Sequence, residues 1–242
     1  VQASVLIPVF SEVEPLRRTV EVLQHTCGDY LREIILLMHR DSIPACKELC
    51  RELEANDPRV HVHEQIEYPG QGHAFREGFA IATGTHILMM NADLETDPTD
   101  AQKLIEAVQN DSCDLVVASR WAKGGSVDIP GYGFLNYGLA SLFQKIFKAF
   151  VGTSVSDLTF CYKIGDARLF KSIPWEGTGH ELAMETTMKP ILMGYRVAQI
   201  PTRWAARREG ESNHKFRRNL RHLALALKLC AARGRLRSQH EF

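Results

Sequence analysis

Thr85-His-Ile-Leu-Met-Met-Asn-Ala-Asp-Leu-Glu-Thr-Asp-Pro98 is the stretch on which the fold turns. Its first half is a short, unbroken apolar run. Such a run, stopped by polar residues and proline, reads as a strand buried on both faces. Its second half sets three carboxylates, Asp93, Glu95 and Asp97, where the chain leaves that strand. Asp97 precedes Pro98 and a helical stretch from Thr99 to Gln109, which is the place of a helix cap. For Asp93 and Glu95 together a metal role is favoured over a cap or turn. Hard oxygen donors two residues apart suit Mg²⁺ or Mn²⁺, and a metal held there can bridge a diphosphate.

The same punctuation recurs on either side. Strands are expected over 4–10, 33–38, 60–64 and 114–118. Helices are expected over 14–25 and 44–54, from Gly70-Gln-Gly72 to Ala82, and over 99–109. Strand and helix in strict alternation, with continuous apolar strands, predict a mostly parallel central sheet with helices on both faces. Ligands of such sheets bind beyond the carboxyl ends of the strands. Pro8-Val-Phe-Ser-Glu12, Asn91-Ala-Asp93-Leu-Glu95 and Ser119-Arg120 all fall there.

After residue 120 the alternation loosens. Four glycines and Pro130 between 124 and 133 predict a mobile loop. Leu135, Leu139, Leu142, Phe143, Ile146, Phe147 and Phe150 follow at helical spacing, flanked by Lys145 and Lys148. That helix is either a core helix or one whose apolar side meets lipid. Glu181 and Glu185 read as a solvated helix face, and His180 as a loop residue.

The 242 residues carry no net charge, but the charge is split. From Arg203 to Arg237 there are eleven Lys/Arg against Glu209 and Glu211, a balance of +9, and the rest of the chain carries −9. A basic end on a neutral protein points to an anionic partner. Basic residues interleave with Leu220, Leu223, Leu225, Leu227 and Leu229, so residues 217–242 read as an amphipathic helix and tail. They either lie on an anionic membrane surface or pack on the domain. With few aromatics near the basic residues, nucleic-acid binding is not expected. The six cysteines show no CxxC spacing and read as reduced thiols, which together with the absence of a basic leader or an 18-residue apolar run suggests a cytoplasmic protein, either free or peripheral on the cytoplasmic membrane face.

Six segments in order, Ile7-Pro-Val-Phe-Ser-Glu12, Gly70-Gln-Gly-His-Ala-Phe-Arg-Glu-Gly78, Met90-Asn-Ala-Asp-Leu-Glu-Thr-Asp-Pro98, Ser119-Arg120, Asp157-Leu-Thr-Phe-Cys-Tyr162 and Arg207-Arg-Glu-Gly-Glu-Ser212, resemble family 2 glycosyltransferases, with the dolichyl- and polyprenyl-phosphate sugar synthases as the nearest subgroup. The resemblance runs from about residue 4 to 216. It implies the GT-A fold, with 1–121 as the nucleotide-sugar-binding half of a 1–216 catalytic domain and 122–216 as the acceptor half. It implies an inverting hexosyltransferase of cell-envelope glycan synthesis, using Mg²⁺ or Mn²⁺, a UDP- or GDP-sugar donor and a lipid phosphate acceptor.

Position by position, it implies that Pro8, Phe10 and Glu12 line the nucleotide pocket and that Gly72 lets the backbone approach the nucleotide. Asn91, Ala92 and Asp93 border the donor. Asp93 and Glu95 hold the metal. Arg120 and Asp157 face the sugar or the acceptor phosphate. Arg207, Ser212 and Lys215 close over the diphosphate. A phosphate acceptor is already anionic and needs no strong base; a hydroxyl acceptor would need Asp157 or Glu181. The chain departs from the family's pattern at Met38, which replaces a base-reading aspartate, at Asn91 for the first acid of the metal segment, at Gln71 for a lysine, and at Asn213 for another. These losses keep open a non-catalytic, scaffold role for the fold.

Overall fold

The structure is a computed structural model, and it describes residues 1–66, 70–110, 113–205 and 215–238, without the side chains of 131–132 and 215–220. In chain order the elements are β1 (Ala3–Val9), α1 (Glu14–Thr26), β2 (Leu31–Met38), α2 (Pro44–Asn56), β3 (Val60–Glu64), α3 (Gln71–Ile81), β4 (His86–Met89), α4 (Asp100–Asn110), β5 (Leu115–Ser119), β6 (Ser126–Val127), α5 (Ile129–Tyr132), α6 (Phe134–Val151), β7 (Lys163–Asp166), α7 (Ala167–Ser172), α8 (Glu181–Met193), β8 (Val197–Pro201), β9 (Arg203–Trp204), α9 (Lys215–Ala231) and α10 (Arg233–Ser238). Every strand and helix expected before residue 120 is present, with ends shifted by a residue or two.

Seven strands form one sheet in the order β3-β2-β1-β4-β7-β5-β8. β7 alone runs antiparallel, wedged between β4 and β5. Successive strand residues point to opposite faces, and both faces are covered. Val5, Ile7, Val9, Ile34, Leu36 and Leu88 pack under α1, α2 and α4. Leu6, Ile35, Leu37, Ile87, Met89 and Val117 pack under α3, α7 and α8. This is why β1, β2 and β4 are apolar without alternation.

β7 was not legible in advance because it breaks that pattern. Lys163 is fully buried on it, facing α8. Its Nζ donates to the Ala183 carbonyl at 2.5 Å, Thr186 Oγ1 at 3.0 Å and Thr187 Oγ1 at 2.5 Å. Burial pushes its pKa down to about 8. Three acceptors saturate the ammonium's three N–H donors, which is what allows a lysine into a core strand.

Beyond residue 120 one expectation is refined and one corrected. The stretch 124–133, expected as a mobile loop, carries two short elements: β6 pairs with β9 and α5 forms a short turn of helix. α8 is not a solvated face, since twelve of its residues are buried. Glu185, fully buried, pairs with Lys189 at 3.0 Å and accepts the amides of Glu176 and Gly177. Glu181 accepts the amides of Thr178 and Gly179 at 3.1 and 3.0 Å. Both carboxylates organise the backbone that leads into α8, and a charge so placed needs those amides. Of the two readings of α6, the structure keeps both: Gln144, Phe147 and Val151 are buried while Leu135, Leu139, Leu142, Ile146 and Phe150 are exposed.

Gly72 has a structural use of its own. A Cβ there would stand 2.5 Å from the Thr178 carbonyl carbon and 2.6 Å from the Gly177 oxygen, both backbone atoms that cannot swing aside. The Gly72 amide itself donates to the Thr178 carbonyl at 3.1 Å. Gly72→Ala is expected to cost about 1–3 kcal/mol of stability by overpacking. Urea denaturation reads this directly, and an unchanged midpoint would remove the argument.

Candidate functional site

The carboxyl ends of β1, β4 and β5 open on the same side of the sheet, because these strands run in one direction. They carry nearly all the residues singled out above.

At the end of β1, Glu12 folds back: its Oε2 accepts the amides of Phe10 at 2.8 Å and Ser11 at 3.0 Å. Pro8 is partly buried in the strand, and Phe10 is half exposed, its ring edge-on to His39 with centroids 5.3 Å apart. Met38, which stands beside Val9 in the neighbouring strand, is buried. His39 Nδ1 accepts the Asp41 amide at 3.0 Å, so a neutral His39 carries its proton on Nε2.

At the end of β4 the chain makes a tight acidic turn. Asp93 Oδ1 accepts the Glu95 amide at 3.1 Å. Between them Leu94 has φ of 54°, the one described non-glycine residue in the left-handed region. That conformation costs an ordinary residue roughly 1–2 kcal/mol, so the surroundings must impose it. They do. The Glu95 carbonyl accepts the Ala205 amide at 2.9 Å, Glu95 Oε2 accepts the Trp204 indole N–H at 2.9 Å, and Thr96 bridges to Trp204. The acidic turn is thereby clamped to the segment just before 206–214, where Arg207 and Ser212 lie outside the described residues. Lys215 opens α9; its side chain is outside them too.

Asn91 and Gln71 explain each other. Gln71 Nε2 donates to Asn91 Oδ1 at 2.7 Å, joining the start of α3 to the acidic turn. The two departures from the family pattern form one neutral pair. A lysine and an aspartate there would sum to zero charge, as do glutamine and asparagine, so the exchange leaves the local charge balance unchanged. Ala92, between Asn91 and Asp93, is buried.

Arg120 and Asp157 are brought together, chiefly on each other. Asp157 is fully buried, and Arg120 is 8% exposed. Arg120 Nε donates to Asp157 Oδ2 at 2.7 Å and Nη2 to Oδ1 at 3.0 Å, a two-pronged pair. The Arg120 amide reaches Oδ2 at 3.2 Å and Gln144 Nε2 reaches Oδ1 at 3.2 Å. The guanidinium also lies over the Phe160 ring, 4.3 Å from its centroid. With both oxygens engaged by donors, Asp157 is built to hold Arg120 and α6 in place. Sequence spacing cannot reveal this, because 37 residues separate the partners. Gln144 carries no motif at all, yet it clamps Asp157, Thr159 Oγ1 at 2.9 Å and the Leu158 amide at 2.8 Å.

For a divalent cation, Asp93 and Glu95 offer suitable donors: two carboxylates, hard oxygen ligands two residues apart on one turn. Among the described residues no group of three or more His, Cys, Asp or Glu converges on one point. A cation there would draw its other ligands from outside these side chains.

The chain resembles known proteins both in sequence and in fold. The description "Glycosyl transferase family 2" matches residues 4–173. Undecaprenyl-phosphate mannosyltransferase of Micrococcus luteus is 28% identical over 86% of this chain and 85% of that protein. Dolichol-phosphate mannosyltransferase of Pyrococcus furiosus is 33% identical over 52% of this chain and 35% of that protein. Among solved structures, glucosyl-3-phosphoglycerate synthase from Mycobacterium tuberculosis, in complex with Mn²⁺, UDP and phosphoglyceric acid, superposes with a TM-score of 0.75 at 16% identity, over 95% of this chain and 78% of that one. The same protein with Mg²⁺ and UDP gives 0.75 over 79% of its length. The sheet is thus that of the GT-A fold. The chain belongs to glycosyl transferase family 2, and it is a glycosyltransferase.

Proposed function

We propose that this enzyme transfers a hexose, with inversion, from a nucleoside diphosphate sugar to a polyprenyl phosphate, using a divalent cation at Asp93 and Glu95. The relatives named for undecaprenyl- and dolichol-phosphate support the acceptor class. The neighbour crystallised with Mn²⁺ and UDP supports the donor and the metal. The observation that carries the reading is the acidic turn itself: a strained residue, two carboxylates and a clamp to 203–205, at the carboxyl end of a central parallel strand.

The state of the candidate bases favours a phosphate over a hydroxyl acceptor. Asp157 is engaged on both oxygens by Arg120, and Glu181 is held by backbone amides, its pKa lowered despite burial that opposes ionisation. Both carboxylates are already engaged as hydrogen-bond acceptors. An anionic acceptor attacks the anomeric carbon without a base, so the protein's work is positioning and stabilising charge on the departing diphosphate. A bound divalent cation supplies that stabilisation as a Lewis acid. Phe10 and Glu12 border the nucleotide, Arg120 faces the acceptor side, and Arg207, Ser212 and Lys215 close over the diphosphate.

Thermal unfolding with UDP, GDP, CDP and dTDP, each with and without Mn²⁺, tests the donor half. One nucleotide is expected to raise the midpoint in a manganese-dependent way, since only the folded chain has the site. No response to any nucleotide, in a sample that unfolds cooperatively, would turn the reading towards a scaffold that has kept the fold.

A further inference from the structure

Trp121 follows Arg120 directly, in the turn that leaves the carboxyl end of β5. An indole N–H donates and never accepts, so a buried one needs an acceptor. Two of the chain's three tryptophans have one: Trp175 Nε1 donates to the Phe170 carbonyl at 2.7 Å, and Trp204 Nε1 to Glu95 Oε2 at 2.9 Å. Trp121 Nε1 is shut off from solvent and has no acceptor among the described residues. A buried donor left unpaired is destabilising, and native proteins keep few of them.

The indole is held firmly in this state. The Trp121 amide donates to Ser119 Oγ at 3.3 Å, and the ring packs on Tyr137 of α6 with centroids 5.0 Å apart. The turn closes at once, the Gly125 amide donating to the Ala122 carbonyl at 2.8 Å. A Cβ at Gly125 would stand 2.6 Å from the Ser119 oxygen and 2.8 Å from the Arg120 oxygen, both backbone atoms. One end of this turn is Arg120, paired with Asp157. The other runs through β6 to β9, where the Asp128 amide donates to the Trp204 carbonyl at 3.0 Å and Trp204 in turn holds Glu95. The unpaired N–H thus lies on the segment that links the acceptor-side arginine to the acidic turn.

That placement has a chemical consequence. Arg120 and Asp157 sum to zero charge, so a phosphate arriving beside them needs further donors. Lys123, exposed on the same turn, brings charge. Trp121 brings a neutral donor that has no counter-charge to shed.

We infer that the Trp121 indole N–H binds the acceptor, donating to a phosphate oxygen beside Arg120. A donor of this kind recognises an oxygen that carries no proton, as an ionised phosphate monoester presents. The assignment rests on the proposed phosphate acceptor and names one of its ligands. Because Nε1 is covered, the phosphate must displace part of the packing around the indole as it enters, and the contact with Tyr137 loosens.

Titration calorimetry on the full chain tests this, with geranyl phosphate as the probe and geraniol as its uncharged control. Wild type is expected to bind geranyl phosphate at least about tenfold more tightly than geraniol. Benzothienylalanine in place of Trp121 puts a sulfur where the indole N–H was and keeps the shape of the ring. It should weaken geranyl phosphate about tenfold or more, leave geraniol unchanged and melt no lower than wild type, because the sulfur needs no acceptor. Trp121→Phe should show the same loss, with the nucleotide-induced thermal shift retained. Equal geranyl phosphate affinity in wild type and the sulfur variant overturns the assignment. So does a lowered melting temperature with affinity kept, which would make the N–H structural. A wild type that does not prefer geranyl phosphate to geraniol would sink the phosphate-acceptor reading itself, and the assignment with it.

Discussion

Asp93→Ala is expected to lower glycosyl transfer by at least about 10³-fold, near 4 kcal/mol of transition-state stabilisation. The carboxylate is one of two on the strained turn after β4, and in the proposed reading it would hold the cation that stabilises charge on the departing diphosphate. The fold should survive. Asp93 is only partly buried, and a bond such as the one it accepts from the Glu95 amide is worth about 0.5–1.5 kcal/mol. The turn keeps its other ties, from Glu95 and Thr96 to Trp204 and Ala205. The check is single-turnover transfer to a polyprenyl phosphate beside a thermal melt. Activity within a few-fold of wild type would remove Asp93 from the centre of the reaction. A collapsed melt would instead make the turn structural, and Asp93→Asn, which keeps the acceptor oxygen, would then separate the two.

Asp157→Ala is expected to destabilise the protein by about 3–5 kcal/mol, because it leaves the Arg120 guanidinium buried and unpaired. The figure is large because the carboxylate is fully buried and organises Arg120, Gln144 and Thr159 at once. Arg120→Ala should cost a comparable amount, and the double variant far less than the two singles added, since neither charge is then stranded. Urea denaturation of the four proteins closes the cycle. A cost below about 1 kcal/mol for Asp157→Ala would mean the pair is not a structural keystone. A catalytic base would show the reverse pattern in Asp157→Asn: stability kept and turnover lost.

The first 120 residues were legible because β1, β2, β4 and β5 are largely apolar on both faces, β3 alternates as an edge strand does, and each helix has one apolar stripe, so local pattern and final environment agree. The acidic turn was legible for the same reason: carboxylates directly after a buried strand have few structural uses. After residue 120 that agreement ends. β7 carries Lys163, α8 carries Glu181, Glu185 and Lys189, and α6 exposes its leucines and phenylalanines. Each reads as the opposite of what the fold does with it. A buried charge is permitted only by partners distant in sequence, and an apolar stripe reveals its exposure only when nothing packs on it.

The departures from the family pattern show the same division. Taken singly, Asn91 and Gln71 look like a lost acid and a lost base. Only folding sets them 2.7 Å apart as one neutral pair. The sequence by itself determined the parallel sheet, the order of its first elements and the place of Asp93 and Glu95, because hydrophobic periodicity and strand ends are local properties. The tertiary structure alone decided which groups satisfy one another: Arg120 with Asp157, Gln71 with Asn91, Glu95 with Trp204. Those pairings follow from the three-dimensional path of the chain, and charge and hydrogen-bond satisfaction are properties of neighbours in space.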